Sequence, residues 1–392
     1  MRVALVHDWL TGFRGGERVL HEFALEFPGA DLYTLIHVPG STTRAIERLN
    51  VKASFLSRIP GSARHYRKLL PLFPRAIESF ELQGYDLVLS CSHAVAKGIR
   101  ISGGTPHLCY CLTPMRYVWD QADAYLGRGA LRLAAAPLVS WLRSWDRRTS
   151  TRQRIDQVVA ISAAVADRVG RCWGRQASVI HPPVDVDRIR PSKQPPESFF
   201  LLVGGFVPYK REALAIAAFA ELGLPLVVAG DGPSRARLEA NAPAGVRFTG
   251  RVSDAELASL YARCRALIYP QEEDFGIVAV EAQAAGRPVI AFGRGGACDT
   301  VVPLGPGAAD PTGIFFEEAS PAGLAQAVRE FEKHQRNFDP SAIRRHAESF
   351  GRERFRTEIM RAVYRTVGIG GGAETSETGS GANSSTRTEP PG

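Results

Sequence analysis

The sequence predicts an α/β protein built of two doubly wound domains, each a parallel sheet covered by helices. The chain has 392 residues, which is too long for one ordinary hydrophobic core. Short apolar runs alternate with helical patterns along it, as in successive βαβ units. The segment 181–198, HPPVDVDRIRPSKQPPES, divides these runs into two series, and it is rich in proline and charge but poor in periodic pattern.

Each series of apolar runs predicts the strands of one sheet. The first series is Val3 to Val6, Leu32 to Ile36, Leu87 to Ser90, His107 to Cys111 and Gln157 to Ile161. The second series is Phe199 to Val203, Leu224 to Ala229, Val246 to Thr249, Ala266 to Tyr269 and Pro288 to Ala291. We therefore expect domains at residues 1–184 and 185–345, with the carboxyl ends of their strands facing each other across a central cleft.

The end of the chain predicts one more helix and then a tail. Residues 350–367 have an amphipathic pattern, which indicates a final helix. Residues 368–392, GIGGGAETSETGSGANSSTRTEPPG, contain almost nothing apolar to bury, so this tail is predicted to be disordered.

The net charge of +8 is concentrated in the first half of the chain. Residues 1–190 contain 26 Lys and Arg against 16 Asp and Glu. Two stretches, 55–75 and 128–154, interleave cations with apolar and aromatic residues, a composition typical of segments that lie on anionic lipid. The alternative is a basic solvated face, with a stripe of residues packed inward: Leu138, Trp141, Leu142 and Trp145.

Several classes of protein are not supported by the sequence. No zinc-finger, homeodomain or RNA-recognition signature accompanies the positive charge, so we expect no nucleic-acid partner. The chain has no run of about 18 apolar residues, and its first residues lack the regions of a signal peptide. We expect a cytoplasmic protein, with attachment to the inner face of the membrane as the alternative. The six cysteines lack zinc-binding spacing and are expected to be reduced core thiols.

The segment 271–296, QEEDFGIVAVEAQAAGRPVIAFGRGG, has the pattern most typical of a ligand site. Glu273 and Glu281 stand eight positions apart within it. If a helix begins near Gly276, Glu281 lies about a turn and a half inside that helix and Glu273 lies on the loop before it.

A helix that begins there would offer free amides. The amides of Phe275, Gly276 and Ile277 would face the cleft at the positive end of the helix dipole, where they can bind an anion. Carboxylates on both sides of this anion site can accept hydrogen bonds from hydroxyls. The matching ligand has a phosphate between two sets of hydroxyls, as a nucleotide sugar does. The alternative is that the acidic residues only start the helix favourably and that Glu281 lies on its solvated face.

This segment resembles the signature of the family 4 glycosyltransferases, retaining enzymes of the GT-B fold. That signature is a glutamate pair with seven residues between, written around a Phe-Gly-Ile or Phe-Gly-Leu core. The resemblance implies two Rossmann-like domains and a last helix that crosses back onto the first of them. It also implies that Glu281 holds the ribose hydroxyls of the donor, that Glu273 holds its sugar hydroxyls, and that the amides at 275–277 hold its diphosphate.

A lysine follows the first strand of the second series, in VGGFVPYKR at 203–211. A cation there is well placed to neutralise a leaving diphosphate, and the resemblance gives Lys210 that catalytic role. At the donor phosphates the family usually has an arginine as well, five residues before this lysine. This chain has Gly205 at that position. Either Arg211, Arg294 or another cation substitutes for it, or the phosphates are held with less charge.

The family also carries a histidine that this chain lacks. Related enzymes place it after the strand that here leads into CYCLTPMRYVWDQ, residues 109–121, and the matching position is Leu112. His93, in SCSHAVAKG after the preceding strand, could reach the cleft in its place as a catalytic residue. The alternative for a lone histidine is a polar cap or a packed side chain.

Three turns complete the predicted donor site. Gly15 and Gly16, in HDWLTGFRGGERVL, let the backbone approach a ligand and leave helix-start amides free. The resemblance places this loop near the diphosphate and the acceptor, although glycine turns are also common without a ligand. It implies that the turn at Asp231 borders the nucleotide and that the turn at Arg251 lies beneath the base.

We expect no metal ion and no cofactor besides the nucleotide-sugar co-substrate. Asp185-Val186-Asp187 spells the Asp-x-Asp of metal-dependent glycosyltransferases, but it lies in the proline-rich hinge and matches a Val-Asp element of the resembled family. Phosphate charge would then be met by Lys210, nearby arginines and helix dipoles.

The resemblance implies a retaining glycosyltransferase that moves a hexose to a lipid-linked or saccharide acceptor in cell-surface polysaccharide or lipopolysaccharide synthesis. We expect mannose from GDP-mannose, because the first half looks most like bacterial enzymes that often use it. Two alternatives stay open: a GT-B epimerase acting on UDP-GlcNAc, and a catalytically silent protein that binds membrane or carbohydrate. Donor incubated alone would be isomerised by the first, and the second would release no diphosphate.

Overall fold

A computed structural model of the chain describes residues 1–120 and 130–368. Within these residues the strands form two large parallel sheets and one small one. The first sheet has the order β3-β2-β1-β5-β7-β8-β9 and the second has the order β12-β11-β10-β13-β14-β15, while β4 pairs with β6 alone. The strands are β1 Val3–His7, β2 Asp31–Thr34, β3 Asn50–Ala53, β4 Glu81–Leu82, β5 Leu87–Ser92, β6 Arg100–Ile101, β7 His107–Cys111, β8 Gln157–Ala160, β9 Ser178–Val179, β10 Phe200–Gly204, β11 Leu226–Gly230, β12 Val246–Gly250, β13 Leu267–Tyr269, β14 Val289–Phe292 and β15 Gly313–Phe316.

Helices connect the parallel strands and cover both sheets. They are α1 Gly15–Glu26, α2 Arg44–Glu47, α3 Ser62–His65, α4 Phe73–Glu78, α5 Ala130–Arg148, α6 Ala163–Trp173, α7 Glu212–Leu222, α8 Arg235–Ala240, α9 Asp254–Arg263, α10 Ile277–Ala284, α11 Ala297–Thr300, α12 Pro321–His334, α13 Pro340–Glu348 and α14 Arg352–Thr366. Short 3₁₀ turns lie at Phe55–Arg58, Tyr66–Leu72, Ala96–Gly98, Val186–Arg188, Pro208–Lys210 and Gln335–Asn337.

The predicted α/β fold class is confirmed, and each predicted strand is present with its ends within two residues of the expected ones. The sequence did not predict β3, β4, β6, β9 or β15. The predicted tail at 368–392 lies outside the described residues except for Gly368, as do residues 121–129. No helix in the described part of the chain is both long and apolar enough to cross a membrane.

The order of the strands fixes where a ligand can bind. In the first sheet the connections reverse direction between β1 and β5, and in the second sheet they reverse between β10 and β13. A crevice forms outside the carboxyl ends of strands at such a reversal. The loops that follow these four strands carry Asp8, His93, Lys210 and Glu273.

The last helix packs on the first sheet although it follows the second sheet in sequence. The Phe355 ring of α14 lies 5.9 Å from Phe23 and 5.7 Å from Tyr110, measured between ring centroids. Arg352 of the same helix forms a 2.8 Å ion pair with Glu22 of α1. The chain therefore crosses twice between the two halves of the molecule, at residues 181–198 and before α14.

Candidate active site

Two helix starts face each other across the gap between the sheets. Helix α1 begins at Gly15 and helix α10 begins after Gly276. The two ends are close, because a β-carbon at residue 15 would lie 3.6 Å from Ile277 Cδ1. Among the described residues, none accepts a hydrogen bond from the amides of Phe275, Gly276 or Ile277. These amides and the helix dipole form a site suited to an anion.

Gly276 is required by its surroundings. Its φ is +96°, in the left-handed region that favours glycine. A β-carbon at this position would lie 2.5 Å from the hydroxyl oxygen of Tyr269. The neighbouring ring of Phe275 is buried against His181 and Phe350, so the loop is anchored by its side chain while its amides stay unbonded.

Glu273 and Lys210 meet directly beside this helix start. The Lys210 ammonium contacts the Glu273 carboxylate, which also accepts a 2.8 Å hydrogen bond from the Tyr269 hydroxyl. Burial lowers the pKa of Lys210 to about 8, with the Glu212 carboxylate opposing that shift and Arg116 adding to it. Because Glu273 also stabilises the ammonium, we assign Lys210 as a cation at neutral pH.

Glu281 is buried and already has three hydrogen-bond donors. Its Oε1 accepts from Arg18 at 3.2 Å and from Arg188 at 3.3 Å, and its Oε2 accepts from the Tyr261 hydroxyl at 2.9 Å. The alternative, in which Glu281 lies on a solvated helix face, is therefore wrong, since only 3% of the residue is exposed. A ribose could reach Oε1 only by replacing Arg18 or Arg188.

A second acidic residue of the loop joins the two halves of the molecule. Asp274 accepts from Arg168 at 2.6 Å and from Arg116 at 3.3 Å, and both arginines belong to the first half. Asp120 also accepts from Arg168. The sequence did not indicate these pairings, since the partners are 106 and 158 positions apart and leave no local pattern.

The position that lacks the family arginine is open. Gly205 is exposed, and a β-carbon there would have no atom of residues 1–120 or 130–368 outside its own turn within 4 Å. Arg211 lies over the Phe292 ring at 4.5 Å and donates to the Pro270 carbonyl at 3.3 Å. Arg294 lies over the same ring at 5.7 Å. Arg211 is thus held against Pro270, the residue that follows β13 and stands three positions before Glu273.

On the opposite wall, Asp8 organises the loop that carries His93. The buried Asp8 carboxylate accepts from four successive amides, 93–96, at 2.6 to 3.0 Å, and its Oδ2 lies 3.0 Å from His93 Nδ1. Burial opposes the charge, but His93, His7 and these amides lower the pKa of Asp8 well below its usual range. His93 packs edge-on against Trp9 at 4.4 Å and is partly exposed to the gap.

Glu17 is a carboxylate of this wall that sequence reasoning missed. It is 5% exposed, accepts from the Arg14 amide at 2.9 Å and lies 3.8 Å from His7 Nε2. Burial lowers the pKa of His7, but Glu17 and Asp8 more than offset it, so that this pKa is raised overall. The local signal was present, because an acidic residue three positions after a helix-preceding residue is typical of a capping box.

Gly16 brings α1 close to the end of β1 and to the residue that follows β7. A β-carbon there would lie 2.9 Å from Leu112 Cδ1 and 3.4 Å from His7 Cε1. Leu112, which stands where the family carries a histidine, therefore fills the space beside the α1 start.

The remaining predicted residues lie at the edge of the second sheet or in the hinge. Asp231 is exposed, its carboxylate accepts a hydrogen bond from the amide of Gly232, and it lies 3.8 Å from Arg235. Arg251 is exposed at the end of β12. Asp187 is largely exposed and lies 3.9 Å from Arg344. Within residues 1–120 and 130–368, no cluster of three or more His, Cys, Asp or Glu is arranged to hold a metal ion.

The two basic stretches border one cavity of about 730 Å³ beside Glu17 and His93. The proposed inward stripe is only partly right. Leu142 and Trp145 are buried and Leu138 is half-buried, but Trp141 is 43% exposed. Five of the six cysteines are buried free thiols, as expected, while Cys298 is exposed.

Comparison with known proteins identifies both halves of the chain. The family model described as "Glycosyltransferase Family 4" matches residues 13–188. The family model described as "Glycosyl transferases group 1" matches residues 185–352. The two matches meet in the hinge and together cover most of the chain.

Curated relatives match over part of their length. A GDP-mannose-dependent alpha-mannosyltransferase of Mycolicibacterium smegmatis is 33% identical over 218 residues, 52% of this chain and 55% of that protein. A D-inositol 3-phosphate glycosyltransferase of Streptomyces avermitilis is 30% identical over 237 residues, 50% of this chain and 49% of that protein. The chain thus spans about half the length of the curated relatives it matches.

A solved structure agrees over almost the whole chain. Anabaena HepE, in complex with UDP and glucose, superposes with a TM-score of 0.67 over 93% of this chain and 99% of its own, at 17% identity. Identity this low supports the fold alone, and the fold is GT-B. With the two family models, each half of the chain matches a glycosyltransferase family, and the whole has the GT-B fold.

Proposed function

We propose that the protein is a retaining glycosyltransferase that moves a hexose from a nucleoside diphosphate to an acceptor hydroxyl. The observation that carries the proposal is the pair of opposed helix starts, with unbonded amides at 275–277 and the Lys210 ammonium beside them. Unbonded amides, helix dipoles and a lysine are what a departing diphosphate needs.

Each charged group then has a part in the reaction. The amides and Lys210 bind the diphosphate and stabilise the charge that develops as the sugar leaves. Glu273, oriented by Tyr269, accepts hydrogen bonds from the sugar hydroxyls. Glu281 accepts from the ribose hydroxyls once the nucleotide displaces an arginine from Oε1.

The acceptor approaches from the wall that carries Glu17 and His93. It attacks on the face from which the diphosphate departs, and a diphosphate oxygen takes its proton, so the protein needs to position the two substrates and to stabilise charge. Asp8 fixes the loop of His93, which makes His93 a candidate to contact the acceptor or the sugar. No metal ion enters this scheme.

For the donor we propose GDP-mannose and for the acceptor a lipid-linked or saccharide molecule of a cell-surface polymer. The 33% identity to a GDP-mannose-dependent mannosyltransferase supports this choice of donor. UDP and glucose in the HepE complex make UDP-glucose the first competitor to test.

The test is a thermal-shift screen of GDP, UDP and ADP with their sugars, because a ligand that binds only the folded protein raises the Tm. GDP and GDP-mannose should raise the Tm, and diphosphate release should follow when acceptor is supplied. If no nucleotide raises the Tm and no nucleotide sugar is consumed, the proposal is refuted.

Substitutions at Glu281 test the donor site itself. Glu281→Gln keeps the shape of the side chain but weakens its acceptance of ribose hydroxyls, so nucleotide affinity should fall by about 1–3 kcal/mol. Glu272→Gln is the matched control, since Glu272 is exposed on the same segment, outside the α10 start. Equal loss in both variants, or no loss in Glu281→Gln, would remove Glu281 from the donor site.

A further inference from the structure

The cavity beside Glu17 and His93 has one polar end and long apolar walls. Its volume is about 730 Å³. One wall comes from the stretch 55–75 and contributes Tyr66, Leu70 and Phe73, and the other comes from α5 and contributes Leu138, Val139 and Leu142. The polar side chains Arg14, Glu17 and His93 lie at the end that adjoins the α1 start.

This arrangement separates two kinds of contact. A saccharide needs a hydrogen-bond partner for nearly every hydroxyl, and the two long walls offer mainly carbon. A hydrocarbon chain needs only apolar surface that shields it from water, and the two walls offer such surface along their whole length. The polar end remains for the group that carries the attacking hydroxyl.

The surface around the cavity is strongly positive. Segment 55–75 contains no Asp or Glu, and its cations Arg58, Arg64, Arg67, Lys68 and Arg75 are all exposed. Arg67 also borders the cavity. Such a rim complements phosphate and repels cationic headgroups.

Exposed apolar side chains stand on the same two segments. Phe55 is 40% exposed, Leu72 is 41% exposed and Trp141 on α5 is 43% exposed. Aromatic and aliphatic side chains among cations are typical of surfaces that sit at the headgroup level of a bilayer. The two segments that supply the cavity walls therefore have the composition of a surface from which a lipid could be drawn.

We propose that this cavity binds the hydrocarbon chain of a phosphate-bearing lipid acceptor. The phosphate lies where the apolar walls end, near Arg14 and Arg67, and the sugar-accepting group beyond the phosphate points to Glu17, His93 and the donor site. This inference rests on the proposed function and narrows it, because it selects a lipid acceptor over a free saccharide.

The experiment is isothermal titration calorimetry with farnesyl phosphate, below its micelle concentration, against inorganic phosphate. Ala135 lines the cavity and is half-buried, whereas Ala136 beside it is exposed and outside the lining. We expect Ala135→Trp to bind farnesyl phosphate about tenfold more weakly than the wild type, the affinity carried by roughly two buried methylene groups. Ala136→Trp should bind it like the wild type, and inorganic phosphate should bind far more weakly to all three.

Each outcome decides the matter. Failure of the wild type to bind farnesyl phosphate, equal binding by Ala135→Trp and Ala136→Trp, or equal binding of inorganic phosphate would overturn the inference. If Ala135→Trp has a lower Tm than Ala136→Trp, Leu138→Asn replaces it with the same expectation. The nucleotide screen is independent of this cavity, so a normal GDP shift together with absent lipid binding would refute the lipid site and leave the glycosyltransferase proposal standing.

Discussion

A fully buried ion pair anchors helix α5, which forms one wall of the cavity beside Glu17 and His93. The Lys97 ammonium lies 2.9 Å from Asp146 Oδ1, 3.1 Å from the Asp146 carbonyl and 2.9 Å from Thr149 Oγ1. It also lies between two indoles, 4.8 Å from Trp173 and 5.1 Å from Trp145. Neither side chain of the pair is exposed to solvent.

Lys97→Met removes the cation while keeping a long apolar stem between the indoles. Loss of one partner of a buried pair costs about 3–5 kcal/mol, because the other charge stays buried without compensation. The indoles of Trp119 and Trp173 still donate to Asp146 Oδ2 at 2.8 and 2.7 Å. We therefore expect the lower end, about 3 kcal/mol, which lowers the Tm of a domain of this size by about 6–12 °C.

The assay is thermal unfolding followed by circular dichroism, with Lys68→Met as the control. Lys68 is exposed, so this control should stay within about 0.5 kcal/mol of the wild type. Adding Asp146→Asn to Lys97→Met removes the stranded charge and should restore part of the loss. A Tm of Lys97→Met equal to that of the control, or a double variant less stable than Lys97→Met, would refute the reasoning.

Two further substitutions test the donor side. Lys210→Ala removes the cation beside the 275–277 amides. It should lower kcat by about 10²–10³ and change nucleotide affinity less, which steady-state assays of diphosphate release and nucleotide titrations would measure. A normal kcat would mean that another cation carries the charge. Gly276→Ala places a β-carbon 2.5 Å from the Tyr269 hydroxyl at a φ of +96°. It should therefore cost about 1–3 kcal/mol of stability and disturb Glu273, to which Tyr269 donates. Unfolding in urea measures the loss of stability, and a stability equal to that of the wild type would show that the loop relaxes.

The strands were predictable where burial alone defines them. Runs such as Leu87–Ser92 and Phe200–Gly204 are apolar because both faces of a parallel strand are covered. Strand β9, Ser178–Val179, has only two residues, both exposed, so no apolar pattern indicates it. Strand β15, Gly313–Phe316, lies at the edge of the second sheet and is defined by its pairing with β14, which a single run of four residues does not reveal.

The site was predictable where its residues are neighbours in sequence. Glu273, Gly276 and Glu281 share one loop and one helix, so their spacing indicates their chemistry. Arg18 and Glu281 are 263 positions apart and meet only because the two halves fold against each other. Such pairs depend on how the two sheets lie relative to each other, and no local periodicity in the sequence indicates that arrangement.

The open backbone at Gly205 has an evolutionary consequence. No described residue outside its own turn lies within 4 Å of where a side chain would begin, and the φ of Gly205 is not in the left-handed region. An arginine could therefore be introduced there by a single codon change without rebuilding the turn. In the proposed enzyme, selection could thus adjust how firmly the leaving diphosphate is held through one substitution in this loop.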